Sequence, residues 1–346
     1  MIRVFSKQDW EPEEPEIDEE TGEPLENFEE QEHPYLTWYK KFSQALKRGV
    51  LEDPANQKRL LKLLRYKTTA SNGEWRSLEE VLGNMKDWQD EFYFIAGPDD
   101  EEIKRSKFLQ KFNKKGVEVL ILTDPIDEYL FNNLSDFEGH RFHSVTKEGL
   151  KFKDEDQDTV KRRNKAYKEK FSPLTKYLKK TYGESVSRVS ISQRLEDYPA
   201  IVSNADYAHS ANMERILRAQ AHQNGQDPEQ FKSIRVLEIN PRHPFVTKLL
   251  SLVEEASSDD VDESTKDAAW MLHDMALLNS GYTITDSQAY SNRMMRVIKN
   301  SLEIDSMELE DEIEVPIEED EPPMEDEGSS FVNTDEIVDE DIHMEL

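Results

Sequence analysis

Apolar positions along the chain keep two rhythms, and the changes between them mark the predicted elements. In "HPYLTWYKKFSQALKRG" the residues Tyr35, Trp38, Tyr39, Phe42, Ala45 and Leu46 recur at helical steps, and Gly49 is suited to a left-handed stop. A second helix is predicted from Asp53 as N-cap with Pro54 in the first turn, carrying Leu60, Leu61, Leu63 and Leu64. A third begins at "SLEE", where Ser77 and Glu80 have capping-box spacing, and the three together make a helical connector. Next, "FYFIAG", a polar helix bearing Phe108, Leu109 and Phe112, and "GVEVLILTD" read as strand, helix, strand. That order predicts a small layered βαβ module with parallel strands, running on through "PIDEYLFNNL" to "RFHSVTKEGLKF".

A Lys-rich helix over 158–182 leads into "SVSRVSISQRL", a half-buried strand with Val186, Val189, Ile191 and Leu195. The remainder reads as mostly helical: "SANMERILRAQA", "HPFVTKLLSLVEEA", "STKDAAWMLHDMALLNSG" and "TDSQAYSNRMMRVIKNSL". The expected fold is therefore α/β followed by a mostly helical α+β part. Its divisions are an acidic leader (1–33), the connector plus α/β module (34–157), a C-terminal region ending in a helical hairpin (158–305), and an acidic tail (306–346).

In the hairpin, Met271, Met275 and Leu278 form one stripe, widened by Ala268, Trp270 and Leu277, while Tyr290, Met294, Ile298 and Leu302 repeat every four on the second helix. Two helices alone cannot bury stripes that broad, and the same hairpin of a second copy would complete a four-helix bundle, so a homodimer is expected. The alternative is packing on the domain's own strands. On the helix "NMERILRAQA", Met213, Ile216 and Leu217 share a face, and flexible methionine suits a surface that accepts varied partners. The alternative there is ordinary core.

The net charge of −30 is localised. Residues 9–32 hold 13 acids and residues 303–346 hold 20, neither with a basic residue, so the body between is nearly neutral. Both runs are expected to be disordered, with solubility or weak calcium association through clustered carboxylates as their roles. A surface of this sign disfavours nucleic acid, and no stretch approaches 18 unbroken apolar residues, so no membrane insertion is expected.

The absence of cysteine excludes disulfides, zinc thiolates and thiol catalysis. After the first strand, "AGPDDEE" puts proline and four carboxylates where a phosphate would need free N–H groups, which opposes nucleotide binding there. His140 and His143 would point to opposite faces of a strand, so no metal pair is expected. No catalytic motif is found, and no catalytic, cofactor or metal residue is assigned. Asn133 opens an "NLS" glycosylation sequon. The last residues, His343, Met344, Glu345 and Leu346, read as a variant of the endoplasmic-reticulum retention address, although the opening "MIRVFSKQDWEPEEPE" does not read as an entry signal. The lumen is the expected compartment, or the cytoplasm in the absence of an upstream signal peptide.

The blocks "LTDPIDEYL", "FEGHRFHSVTKEGLKF", "ISQRL", "NMERILRAQA" and "LEINPRHP" resemble, in order and spacing, the heat shock protein 90 chaperones, above all their endoplasmic-reticulum branch. The resemblance runs over about 34–305 and implies the end of a middle domain and a C-terminal dimerisation domain. It implies a dimeric clamp that holds non-native client polypeptides, driven by ATP and Mg in the intact family. It makes Met213 client-facing and the helices 265–281 and 286–302 the dimer interface, with Ile216, Leu217 and His209 beside the client surface. His209 stands where the family has tryptophan, which makes that surface less apolar. No "Asn-x-Ser-Arg-Glu" loop is found, so the catalytic arginine and the ATP site carry over to no residue, and enzyme status stays open. The Met-Glu-Glu-Val-Asp end that docks cochaperones in the cytosolic branch is absent, which leaves only cochaperones of other kinds. A scaffold without client binding, or a calcium-buffering lumenal protein, are the alternative readings.

Overall fold

The computed structural model describes Lys7, residues 32–256 and residues 261–313 of the 346. Most of the acidic leader, the tail beyond Ile313, and with it His343, Met344, Glu345 and Leu346, lie outside the described residues. The chain divides into two units after Glu303. The described part of the second, residues 304–313, has no helix or strand and exposes Leu309 and Ile313.

Helix α1 (Pro34–Glu52) begins where proline's missing N–H costs nothing, with His33 Nδ1 accepting the Tyr35 N–H at 3.0 Å. It does not stop at Gly49. A Cβ there would meet Leu60 Cδ1 at 3.3 Å, so the glycine serves the close approach of α2 (Gln57–Leu61). That second helix is shorter than expected: Asp53 and Pro54 belong to a turn, Asn56 is the N-cap, and Leu63 and Leu64 lie past its end. The chain then enters β1 (Arg65–Thr68), which the helical connector expected from the sequence did not contain. After β2 (Arg76–Ser77), α3 (Leu78–Gly83) carries the expected capping box, with Ser77 Oγ accepting from Glu80 N–H and the Glu80 carboxylate accepting from Ser77 N–H.

The layered module follows as β3 (Glu91–Ala96), α4 (Asp100–Lys104), α5 (Gln110–Lys115), β4 (Val119–Leu122), α6 (Pro125–Asn133) and β5 (Arg141–Ser144). The sheet order is β2-β1-β4-β3-β5; β3 runs parallel to both β4 and β5, as the βαβ pattern requires, and β1 runs antiparallel to β4. Each apolar strand feeds two cores. Phe92, Phe94, Leu120 and Leu122 pack with Tyr35, Tyr39, Leu61 and Phe131 on one face, whereas Tyr93, Ile95, Val119 and Ile121 pack with Ile103, Phe108 and Phe112 on the other. Burial on both faces explains why these strands read as unbroken apolar runs.

The Lys-rich helix is two helices, α7 (Gln157–Lys170) and α8 (Ser172–Tyr182), because Pro173 starts a new first turn after Phe171. Then come β6 (Arg188–Ile191), β7 (Ala200–Asn204), α9 (Ala211–Gln223), β8 (Arg235–Ile239), α10 (Pro244–Glu255), α11 (Glu263–Asn279) and α12 (Ser287–Ser301). The second sheet, ordered β6-β8-β7, pairs β6 parallel and β7 antiparallel to β8. Strands β7 and β8 were not expected from a part read as mostly helical. Every residue in both is buried, including Ser203, Asn204, Arg235 and Glu238, so neither shows the alternation of a one-faced strand.

The two sheets share a core. Ala200 and Val202 face the α8, α10 and α11 core, while Ile201 and Leu195 join Phe108 and Phe152 beneath the first sheet. At this junction Arg194 pairs with Glu238, both nearly buried, and donates to the Val145 carbonyl.

A second buried pair sits under α1. Lys47 Nζ lies 2.7 Å from Asp127 Oδ2 and 3.1 Å from Asp124 Oδ2, and the Tyr66 hydroxyl donates to Asp127 Oδ1 at 2.9 Å. Burial dominates over these partners and pushes the Asp127 carboxyl from 3.8 up to about 6. A carboxyl raised on folding favours the fold fully below its unfolded pKa, and that contribution is lost as pH rises through the folded one. The stability difference between wild type and Asp127→Asn should therefore change across the window from 3.8 to about 6, wild type losing ground as pH rises. Urea unfolding across that window checks it; a pH-independent difference would contradict it.

Candidate functional site

Helix α9 is mounted on the second sheet by charge. Ser210 caps it, Oγ accepting the Met213 N–H at 3.1 Å. One turn on, Glu214 Oε1 accepts from Arg235 Nη2 at 2.7 Å, and Oε2 accepts from the Ser233 N–H at 2.9 Å. Both charged side chains are only 5% exposed, so neither has water to fall back on. The Arg235 guanidinium also stacks 4.4 Å from the Tyr282 ring centroid. Burial pushes the Tyr282 hydroxyl far up, keeping it neutral, and it accepts from Asn204 Nδ2. The preceding loop is tied at one atom: the His209 carbonyl accepts from both Asn204 Nδ2 and Ser233 Oγ. Beside the cap, Glu128 of α6 is buried with Oε2 unpaired; burial raises its pKa, and the nearby Ser210 and Asn212 side chains oppose the rise.

This frame holds the inner side of α9 and leaves its apolar side only partly covered. Met213, Ile216 and Leu217 share that side and are each half-buried, so they are not core. His209 is exposed in the loop ahead of them. The structure adds Tyr207, 81% exposed two residues before His209, and Ile234, 40% exposed beside the Ser233 that anchors Glu214. Tyr207 was passed over because its loop reads as polar. An aromatic alone among small and polar residues was the available signal, and it offsets the apolar loss at His209.

The terminal hairpin is antiparallel, since Asp274 meets Arg293 while the earlier Asp267 meets the later Arg296. Arg296 binds Asp267 with two bonds, Nε to Oδ2 at 2.7 Å and Nη2 to Oδ1 at 2.6 Å, and Arg293 stacks on Trp270. Helix α11 turns Ala269, Leu272, Ala276 and Leu277 into its own core. Leu277 is thus intramolecular, correcting its place in the expected stripe. Met271 and Met275 are half-buried, Met275 against that core, and Leu278 is 51% exposed. Helix α12 buries none of its residues. Tyr290 and Met294 are half-buried, while Ile298 and Leu302 are 39% and 66% exposed, with Met295 and Val297 also open.

A mixed α+β body carrying apolar helix faces on its surface is the class this geometry defines. The family follows from comparison: a model of the Hsp90 protein family matches residues 18–329, and the chain belongs to that family. Relatives include the "Endoplasmin homolog" of Arabidopsis thaliana, 38% identical over 314 residues, which are 90% of this chain and 37% of the relative. The "Endoplasmin homolog" of Catharanthus roseus is 36% identical over 318 residues, 91% of this chain and 38% of its own length. That of Hordeum vulgare is 34% identical with the same coverage, 91% and 38%. The chain thus spans somewhat over a third of the length of the relatives it matches.

Proposed function

We propose that this chain is the client-holding and dimer-forming part of a chaperone of the Hsp90 family, acting in the endoplasmic reticulum lumen. The observation that carries this is the partly open apolar side of α9, where Met213, Ile216 and Leu217 stand on a buried Glu214–Arg235 frame with Tyr207 exposed in the loop ahead. A rigid support with half-exposed, adaptable side chains suits weak capture of many apolar segments rather than one shaped ligand. Pairing of α11 and α12 with those of a second copy sets two such faces in one dimer. Relatives called endoplasmin support the lumen. ATP and Mg enter through parts of the family to which no residue of this chain corresponds by motif.

The test is light scattering from an aggregating client protein. The chain is expected to delay aggregation at near-stoichiometric ratio without nucleotide; scattering identical to that of an inert protein control would contradict the reading.

A further inference from the structure

We propose that Asn133 is an N-glycosylation site, taking an oligosaccharide from a lipid-diphosphate-linked donor. The inference rests on the lumenal reading above. "Asn133-Leu134-Ser135" is the one Asn-x-Ser/Thr triplet in the 346 residues; near misses such as Asn279-Ser280-Gly281 and Asn300-Ser301-Leu302 lack the third-position hydroxyl. A sequon in sequence is common, so the structure decides whether the folded chain could carry the sugar.

It could. Asn133 is the last residue of α6, on the outer side shared with Tyr129 and Asn132, while Leu130 and Phe131 face the core. Leu134 turns out of the helix in extended backbone, φ −75° and ψ 136°, so the sequon runs from the helix end into a loop, with Asn133 and Ser135 both exposed. The Asn133 side chain is held rather than buried, Nδ2 donating to the Tyr129 carbonyl at 2.7 Å. In the transfer, Nδ2 forms a bond to C1 of the donor sugar and the C1–O bond to the diphosphate breaks. The lipid diphosphate leaves with that electron pair, and one amide proton passes to a base of the transferase. The second amide proton remains, enough to keep the Tyr129 bond. The sugar would then extend over Tyr129, 58% exposed one turn earlier.

The experiment uses the native chain in intact microsomes from its source cells. The membranes are treated with protease, and the protected chain is then released with a peptide N-glycosidase in heavy-oxygen water and read by peptide mass spectrometry. The expected result is a protected chain whose position 133 reads as heavy-oxygen aspartate. A protected chain carrying only unmodified Asn133 overturns this inference and leaves the lumenal reading standing. A chain that is both unprotected and unmodified overturns the two together. Expressed in the same cells, Asn133→Gln and Ser135→Ala should each lose the glycosidase-sensitive shift on a gel. A shift that survives in both places the sugar elsewhere and overturns the inference.

Discussion

Ile298→Asp should leave the protein folded and monomeric. The side chain is 39% exposed, no residue of α12 is fully buried in its own chain, and Ile298 is not among the residues of the α8, α10 and α11 core, so the substitution removes no core residue within one copy. In a second copy's hairpin, however, Ile298 would sit among Met295, Leu302 and their symmetry mates, where a carboxylate is desolvated. Central apolar residues of such interfaces cost about 2 kcal/mol or more when truncated, and a two-fold interface meets each substitution twice. About 4 kcal/mol corresponds to roughly three decades in dimer affinity. Sedimentation velocity with circular dichroism on the same samples separates the outcomes: a folded monomer is expected, and a dimer of unchanged affinity would remove the hairpin from the interface.

Glu214→Ala should be the most destabilising of the single changes considered. It strands the Arg235 guanidinium, 5% exposed and with Nε already unpaired, and leaves the Ser233 N–H without its acceptor. Breaking a buried pair on one side costs about 3–5 kcal/mol, because the remaining charge has neither partner nor water. The loss should appear first in α9, as faster amide exchange there than in β7, and then in the global unfolding midpoint. Glu214→Leu combined with Arg235→Leu should recover much of it, since an apolar pair of similar volume carries no orphaned charge. Equal stability of Glu214→Ala and wild type would mean that α9 is held by something other than this pair.

These expectations rest on elements the sequence revealed unevenly, for physical reasons. The βαβ order was legible because β3 and β4 bury both faces and so spell continuous apolar runs, and the capping box at Ser77 and Glu80 because its chemistry is local. Strand β1, spelled "RYKT", was hidden because its buried Arg65 and Thr68 are polar letters that tertiary neighbours neutralise. Strands β7 and β8 were hidden likewise, since the buried Glu238 is satisfied by Ser192 and Arg194, more than forty residues away. At the candidate site, the apolar side of α9 was visible from its period. The frame of Glu214, Arg235, Asn204 and Tyr282 was not, because those groups converge from three elements and a loop. In the hairpin stripe Leu278, Ile298 and Leu302 are exposed while Leu277 is turned into the domain's own core, because helical period does not say which of two adjoining faces meets that core.

The central claim is that the partly open apolar side of α9 holds non-native chains. Met213 is half-buried and its side chain is part of neither the Glu214 frame nor the hairpin, so Met213→Glu is expected to change that side's character with the fold retained. Suppression of client aggregation, followed by light scattering at matched dimer concentration and with unchanged circular dichroism, tests it most directly. The account predicts that Met213→Glu loses most of the suppression seen with wild type; equal suppression by the two proteins would contradict it.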